Sequence, residues 1–175
     1  EAFMQQNSSK DPSVTIEGLR SLIIQVIGEN IQVKRLEILP KVASHSYGIY
    51  SHLGGKILTL IELDAPNISD VAYDIAMHLA AGIPQVAEYT VPEQVPQDLI
   101  QKEREIARSQ LAGKPANIIE KILDGKINAF FDLVCLTRQK FIKDDSMTIN
   151  ELLKKSAEKA GKEPKIVRFL RWTVG

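Results

Sequence analysis

Residues 26–35 read Val26-Ile27-Gly28-Glu29-Asn30-Ile31-Gln32-Val33-Lys34-Arg35, and this stretch decides the fold. Upstream of it, apolar residues recur every three or four positions, which places them on one stripe of a helix. Gly28 lacks a Cβ and therefore suits the left-handed conformation that ends a helix. Apolar and polar residues then alternate, which predicts a strand over residues 31–39. Glu29 and Asn30 are expected at the surface of this corner; a plain helix-to-strand connection is the alternative to a functional site there.

The predicted helix extends back to Asp11, which suits a cap, and Pro12, which suits a first helical turn. After the corner, the pattern predicts two antiparallel strands, residues 41–52 and 56–64. They are joined by Leu53-Gly54-Gly55, because a glycine pair permits the positive φ angles of a tight hairpin.

The remaining ends of the globular part are also marked by cap and breaker residues. A helix is predicted from Asn67 or Ser69 to a stop at Gly82. Near the carboxyl end, Ser146 or Thr148 is expected to cap another helix. A last strand is predicted over residues 165–174.

Two helical runs, residues 95–112 and 115–131, are separated by little more than Gly113-Lys114. So short a link makes the two helices fold back on each other, as in an antiparallel coiled coil. At 1.5 Å per residue this hairpin is expected to protrude as an arm of roughly 25 Å. The chain is expected to re-enter the globular part after Gly125.

These elements predict an α+β fold, with small antiparallel sheets packed on helices and an inserted helical hairpin. Three parts are expected. Residues 1–39 form the remainder of an amino-terminal core subdomain, a helix plus a strand. Residues 40–92 and 133–175 form a carboxyl-terminal core subdomain, and residues 93–132 form the arm.

The composition narrows the function classes. The 175 residues include 22 basic and 22 acidic side chains, so no net field draws the chain to nucleic acid or to an anionic membrane. No stretch reaches the roughly 18 consecutive apolar residues that span a bilayer. The first residues also lack the pattern of a secretory signal. The single cysteine, Cys135, excludes an internal disulfide, fits a reducing compartment and is expected to be a buried thiol.

The residues that carry chemistry are few. Three histidines occur, without an HExxH, CxxC or GxSxG motif beside them. His78 lies on the apolar side of its helix and is expected to be a hydrogen-bonded core residue. Gly54-Gly55-Lys56 lacks the first glycine and the Ser or Thr of a phosphate loop. We therefore expect no catalytic residue, no metal and no cofactor, and an enzyme is the weakest of the alternatives.

Six blocks of sequence, in the same order, resemble those of bacterial elongation factor Ts, in its core and dimerisation region. This family provides the guanine-nucleotide exchange factor of elongation factor Tu. The blocks cover nearly all of residues 14–175. They are IGENIQVKR at 27–35, YSHLGGKI at 50–57, DIAMHLAA at 74–81, KEREIA at 102–107, GKP at 113–115 with EKI at 120–122, and RFLRWTVG at 168–175.

The resemblance implies a factor that binds elongation factor Tu, in its GDP-bound and nucleotide-free forms, and promotes GDP release by disturbing the Mg²⁺ and phosphate site. It implies that Ile27, Gly28 and His52 lie against the partner's nucleotide domain. Glu29 and Asn30 belong to the same expected contact, with Leu53 and Gly54 beside His52. A homodimer is a further expected partner, and the location implied is the bacterial cytoplasm, with an organelle matrix as the alternative.

The match also has gaps. The family's small amino-terminal helical domain, which resembles a ubiquitin-associated domain, and its Thr-Asp-Phe-Val motif have no counterpart. We therefore expect a fragment with weak exchange activity. The strand over residues 31–39 would also lose its sheet neighbours and become an exposed edge, a swapped strand or a frayed one.

Two other functions remain open. One is a dimerisation or scaffold module without exchange activity, which would use the arm and the exposed strand. The other is an RNA-associated protein, suggested by Lys34, Arg35, Arg168 and Arg171 but disfavoured by the neutral net charge.

Overall fold

The computed structural model describes residues 2–111 and 115–174. The chain divides into two compact units, Glu1–Pro40 and Lys41–Gly175. The six helices and the small antiparallel sheets of this described part confirm the predicted α+β class. The finer division into subdomain and arm stays a prediction. The helices are α1 (Ile16–Ile27), α2 (Ser69–Ala81), α3 (Gln97–Ser109), α4 (Ala116–Val134), α5 (Ile149–Lys155) and α6 (Ala157–Ala160), and the strands are β1 (Ser46–His52), β2 (Ile57–Leu63), β3 (Lys140–Phe141), β4 (Asp144–Thr148) and β5 (Ile166–Thr173).

Helix α1 ends where the sequence predicts but begins later. Gly28 takes a left-handed conformation, with φ 78°, and its N–H donates to the Ile24 carbonyl at 2.8 Å. The predicted start at Asp11 is wrong, because the Asp11 carboxylate accepts from the N–H and hydroxyl of Ser13 and so closes a separate turn. Thr15 is the cap instead, since its hydroxyl accepts from the Gly18 N–H at 3.0 Å.

The strand predicted over residues 31–39 is not formed. The structure describes all of these residues and places them in neither a helix nor a strand. Of the three expected outcomes for an unpaired strand, this is closest to fraying. A hydrogen bond from Arg20 Nη1 to the Ile31 carbonyl, 2.6 Å long, holds the start of the segment. A side chain thus provides there what a neighbouring strand would provide in a sheet.

The second unit is built on a three-stranded antiparallel sheet in which β2 lies between β1 and β5. The predicted hairpin is confirmed: His52 pairs with Ile57 across the turn at residues 53–55. One face of the sheet packs on α2, and the Thr59 hydroxyl donates to the Ala76 carbonyl at 2.7 Å. Ile61 and Leu63, on the same face as Thr59, are completely buried in the main core.

Helices α3 and α4 lie antiparallel along each other. Arg104 pairs with Asp124 at 2.6 Å and Arg108 with Glu120 at 2.5 Å, so residues further along α3 meet residues earlier in α4. A small apolar cluster that includes Leu123 fills the space between them. The predicted turn at Gly113-Lys114 lies outside the described residues, and the coiled coil stays a prediction.

Two further predictions concern the residue that caps α5 and the course of α4 through Gly125. Thr148 is confirmed as a cap: its hydroxyl accepts from the Glu151 N–H, and the Glu151 carboxylate accepts from the Thr148 N–H. Helix α4 continues through Gly125 to Val134, three residues beyond the predicted end at residue 131, and the point at which the chain re-enters the globular part stays a prediction. A single glycine lowers helix stability by only about 1 kcal/mol, which the packing of α4 offsets.

Candidate functional site

The first group of predicted site residues forms the end of α1 in the first unit. Ile27 is the last helical residue and 55% exposed, and Val26 beside it is 87% exposed. Gly28 follows in its left-handed conformation, and an added Cβ there would meet no described atom within 4 Å. Glu29 and Asn30 are exposed as well. This helix end therefore presents apolar side chains and open backbone to solvent.

The second group forms the tip of the β1–β2 hairpin in the second unit. His52 is the last residue of β1 and is exposed. Leu53 follows with φ 51° and 63% exposure, and Gly54 with φ 65°. Leucine rarely adopts a positive φ, which costs of order 1–3 kcal/mol, so strain and an exposed apolar side chain occur at one residue. Such a combination is typical of binding sites.

Two tyrosines that the sequence analysis did not single out lie in a row with His52: Tyr50 contacts His52, and Tyr73 contacts Tyr50. The rings of Tyr50 and His52 stack, with centroids 5.9 Å apart and 26° between their planes. The Tyr50 hydroxyl oxygen lies 3.4 Å from His52 Nδ1. Tyr73, from α2, meets Tyr50 edge to face with centroids 5.6 Å apart. The spacing of two between Tyr50 and His52 on a strand was the available signal, because it places both side chains on one face.

Gly48 explains how β1 and α2 come close enough for these rings to meet. A Cβ built on Gly48 would lie 2.1 Å from the Ala72 carbonyl carbon and 2.2 Å from the Tyr73 nitrogen. Any larger residue would therefore collide with the backbone of the helix. The absence of a side chain at Gly48 lets the strand, two residues before Tyr50, approach the helix at Ala72 and Tyr73.

On the opposite face of the sheet, a buried carboxylate is held by residues from three segments. Glu62 is 1% exposed, and its Oε1 accepts from His45 Nδ1 at 2.7 Å and from the Tyr47 hydroxyl at 3.0 Å. Arg168 Nε lies 2.7 Å from Oε2. Burial acts to raise the pKa of Glu62, but these hydrogen bonds and the arginine charge outweigh it and lower the pKa. Glu62 is therefore ionised inside the fold, and the positive charge of Arg168 balances it.

The basic residues that suggested RNA binding are partly occupied by the same fold. Arg168 neutralises Glu62, and Arg171 donates to the carbonyls of Leu79 and Ala80. These two of the four cations have internal roles. The observation weakens the RNA-associated alternative, which needs cations that face outward.

The predicted core roles of His78 and Cys135 are confirmed. His78 is buried and its Nε2 lies 3.0 Å from the side-chain oxygen of Gln139, whose amide nitrogen already donates to two backbone carbonyls. His78 therefore carries its proton on Nε2. Burial lowers the pKa of His78 and keeps it neutral. Burial also raises the pKa of the Cys135 thiol to about 11, so it is a poor nucleophile.

Residues 2–111 and 115–174 contain no group of three or more His, Cys, Asp or Glu side chains placed to hold a metal ion. Within the same residues, no helix has both the length and the hydropathy to cross a membrane.

Comparisons with known proteins support the family resemblance. The family model described as Elongation factor TS matches residues 1–175. Among similar proteins, the elongation factor Ts of Protochlamydia amoebophila is 51% identical over 176 aligned residues. Those of Chlamydia muridarum and Chlamydia trachomatis serovar L2 are 42% and 40% identical. Each alignment covers all of this chain and 61% of the relative's length. The chain therefore belongs to the elongation factor Ts family.

Proposed function

We propose that this protein binds elongation factor Tu and accelerates the release of GDP from it. The observation that carries the proposal is the exposure of apolar residues at two backbone turns, Ile27 at the end of α1 and Leu53 at the hairpin tip. Both turns use left-handed backbone, which fixes their shape before a partner arrives. Pre-formed apolar surface of this kind is suited to binding another protein.

Exchange of this kind needs binding energy and no catalytic side chain. A factor that binds the nucleotide-free GTPase more tightly than its GDP complex must weaken GDP binding by the same factor. Each tenfold weakening requires about 1.4 kcal/mol of differential contact. A few apolar contacts supply this amount, since complete burial of an isoleucine or leucine side chain contributes about 1.5–3 kcal/mol.

The residues proposed for the contact divide into two roles. Ile27 and Leu53 supply apolar surface that the partner covers. Gly28, Glu29, Asn30 and Gly54 provide open backbone and small polar groups, and His52 supplies a polar ring at the hairpin tip. Binding through these residues would act on the partner's Mg²⁺ and phosphate site, since loss of that ion removes the charge that holds the diphosphate.

Stopped-flow release of fluorescent GDP from elongation factor Tu tests the proposal. Ile27→Ser removes apolar surface of which about half is exposed, so we expect binding to weaken by about 1 kcal/mol, or roughly fivefold. His52→Ala is expected to slow release as well. Ile142→Ser is the matched control, because Ile142 is a 43% exposed isoleucine in the β3–β4 turn. Release rates that are the same for Ile27→Ser, His52→Ala and the control would contradict the proposal.

Self-association is the second candidate function. Ile49 and Leu58 are 56% and 41% exposed on the face of the sheet opposite α2. A second copy of the chain would cover such a face. Light scattering combined with the GDP-release assay separates the two functions, because a dimer that leaves GDP release unchanged would favour a scaffold.

A further inference from the structure

The orientation of the His52 ring is set by residues outside the turn that carries it. His52 lies at the exposed end of β1, where an imidazole would otherwise be free to rotate about two side-chain bonds. Tyr50 precedes it by two residues and stacks on it with centroids 5.9 Å apart. This contact, with the ring planes 26° apart, favours one orientation of the imidazole.

Tyr50 is itself held in place. Tyr50 packs against the main core. Its ring also meets the ring of Tyr73, a residue of α2, edge to face. The approach of β1 to α2 at Gly48 brings the two tyrosines together. A row of three rings, Tyr73, Tyr50 and His52, therefore runs from the helix to the tip of the hairpin.

The Tyr50 hydroxyl also bears on the chemistry of the imidazole. Its oxygen lies 3.4 Å from His52 Nδ1. This distance allows two pairings: a hydroxyl that donates to Nδ1 goes with a neutral ring protonated on Nε2, and a hydroxyl that accepts goes with a proton on Nδ1. In the first pairing, His52 presents an Nε2–H donor to whatever binds the hairpin tip.

We propose that Tyr50, supported by Tyr73, is a positioning residue for His52. It fixes the plane of the imidazole and the tautomer with the proton on Nε2. The group that meets His52 on the partner is then a hydrogen-bond acceptor, a carbonyl or carboxylate oxygen. The proposal rests on the proposed function, which assigns His52 to the contact with elongation factor Tu.

Two measurements on the full chain test this role. Tyr50→Phe removes only the hydroxyl and keeps the stacked ring. We expect GDP release at limiting protein concentration to slow by about 2- to 10-fold, the range for loss of one hydrogen bond. In the free protein, the ¹⁵N chemical shifts of the His52 ring should change from the Nε2–H tautomer to a mixture of the two, an effect that a merely structural role would not produce.

A double-mutant cycle shows whether Tyr50 acts through His52. In a His52→Ala background, Tyr50→Phe should cause no further slowing. Tyr47→Phe is the matched control, since it removes a hydroxyl from the same strand on the other face, where it bonds Glu62. It should leave release unchanged even if it lowers stability.

The outcomes separate the two proposals. If His52→Ala slows release and Tyr50→Phe changes neither release nor the ¹⁵N spectrum, the positioning role is wrong and the contact stands. Equal slowing by Tyr50→Phe with and without His52 would also overturn the positioning role. If His52→Ala leaves release unchanged, the assignment of His52 to the contact is wrong, and the positioning role fails with it.

Discussion

Gly48→Ala tests the close approach on which the second unit depends. The added Cβ would lie 2.1 Å from the Ala72 carbonyl carbon and 2.2 Å from its oxygen. These are backbone atoms within α2, so they cannot turn aside as a flexible side chain would. To restore ordinary contact, at about 3.4 Å, the strand and the helix would have to separate by about 1.3 Å.

The cost of that separation follows from what lies between the two elements. Overpacking of a core typically costs about 1–3 kcal/mol, and a collision with backbone belongs at the upper end. Replacing glycine with alanine also stiffens the unfolded chain, which returns about 0.4–1 kcal/mol. We therefore expect the free energy of unfolding to fall by about 2 kcal/mol, and the melting temperature by about 4–8 °C for a chain of this size.

Urea unfolding followed by tryptophan fluorescence provides the assay, because Trp172 is the single tryptophan and lies in β5 of the affected sheet. Gly125→Ala is the matched control. Gly125 is an exposed residue inside α4, and an added Cβ would meet no described atom within 4 Å. The control should gain about 0.5–1 kcal/mol in stability. A Gly48→Ala protein as stable as the parent would refute the reasoning about the close approach.

Two further substitutions probe the carboxyl-terminal cap and the buried carboxylate. Thr148→Ala should lower the free energy of unfolding by about 1 kcal/mol through loss of the reciprocal cap with Glu151, whereas Thr148→Ser should keep most of it; urea unfolding that shows equal losses for both would contradict this. The lowered pKa of Glu62 means that its charge stabilises the fold above the unfolded glutamate value of about 4.3, and that this contribution is lost as the pH falls from there through the lower folded value. Unfolding measured between pH 5 and pH 2, limits chosen to bracket that loss, should therefore depend less steeply on pH in Glu62→Gln than in the parent, and identical slopes would argue against a charged Glu62.

Most elements of the fold could be predicted because their signals are local. The stop of α1 at Gly28, the hairpin at Leu53-Gly54-Gly55 and the cap at Thr148 each depend on the conformation of a few adjacent residues. The predicted start of α1 at Asp11 was wrong for a related reason. Asp11 and Thr15 are both good caps, and only the actual turn decides which carboxylate or hydroxyl is available.

The geometry of the candidate site could be predicted only where it depends on adjacent residues. The residues at the two turns follow from glycine positions together with the family resemblance, and their role in binding stays a prediction. The partners that hold them could not be predicted, because Gly48 and Ala72 are far apart in sequence and no local pattern records their contact. The same holds for Glu62, which lies within an apolar run yet is hydrogen-bonded by His45 and paired with the charge of Arg168, both from other segments.

The segment at residues 31–39 shows the limit of a periodicity argument most clearly. Alternation of apolar and polar side chains specifies which face of a strand is buried. It does not supply the second row of N–H and C=O groups that a strand must bond to. In β2 the same kind of apolar run is flanked on both sides by β1 and β5 and becomes a central strand. Residues 31–39 have no such neighbour among the described residues, so their alternation indicates a capacity to pair that this part of the chain does not use.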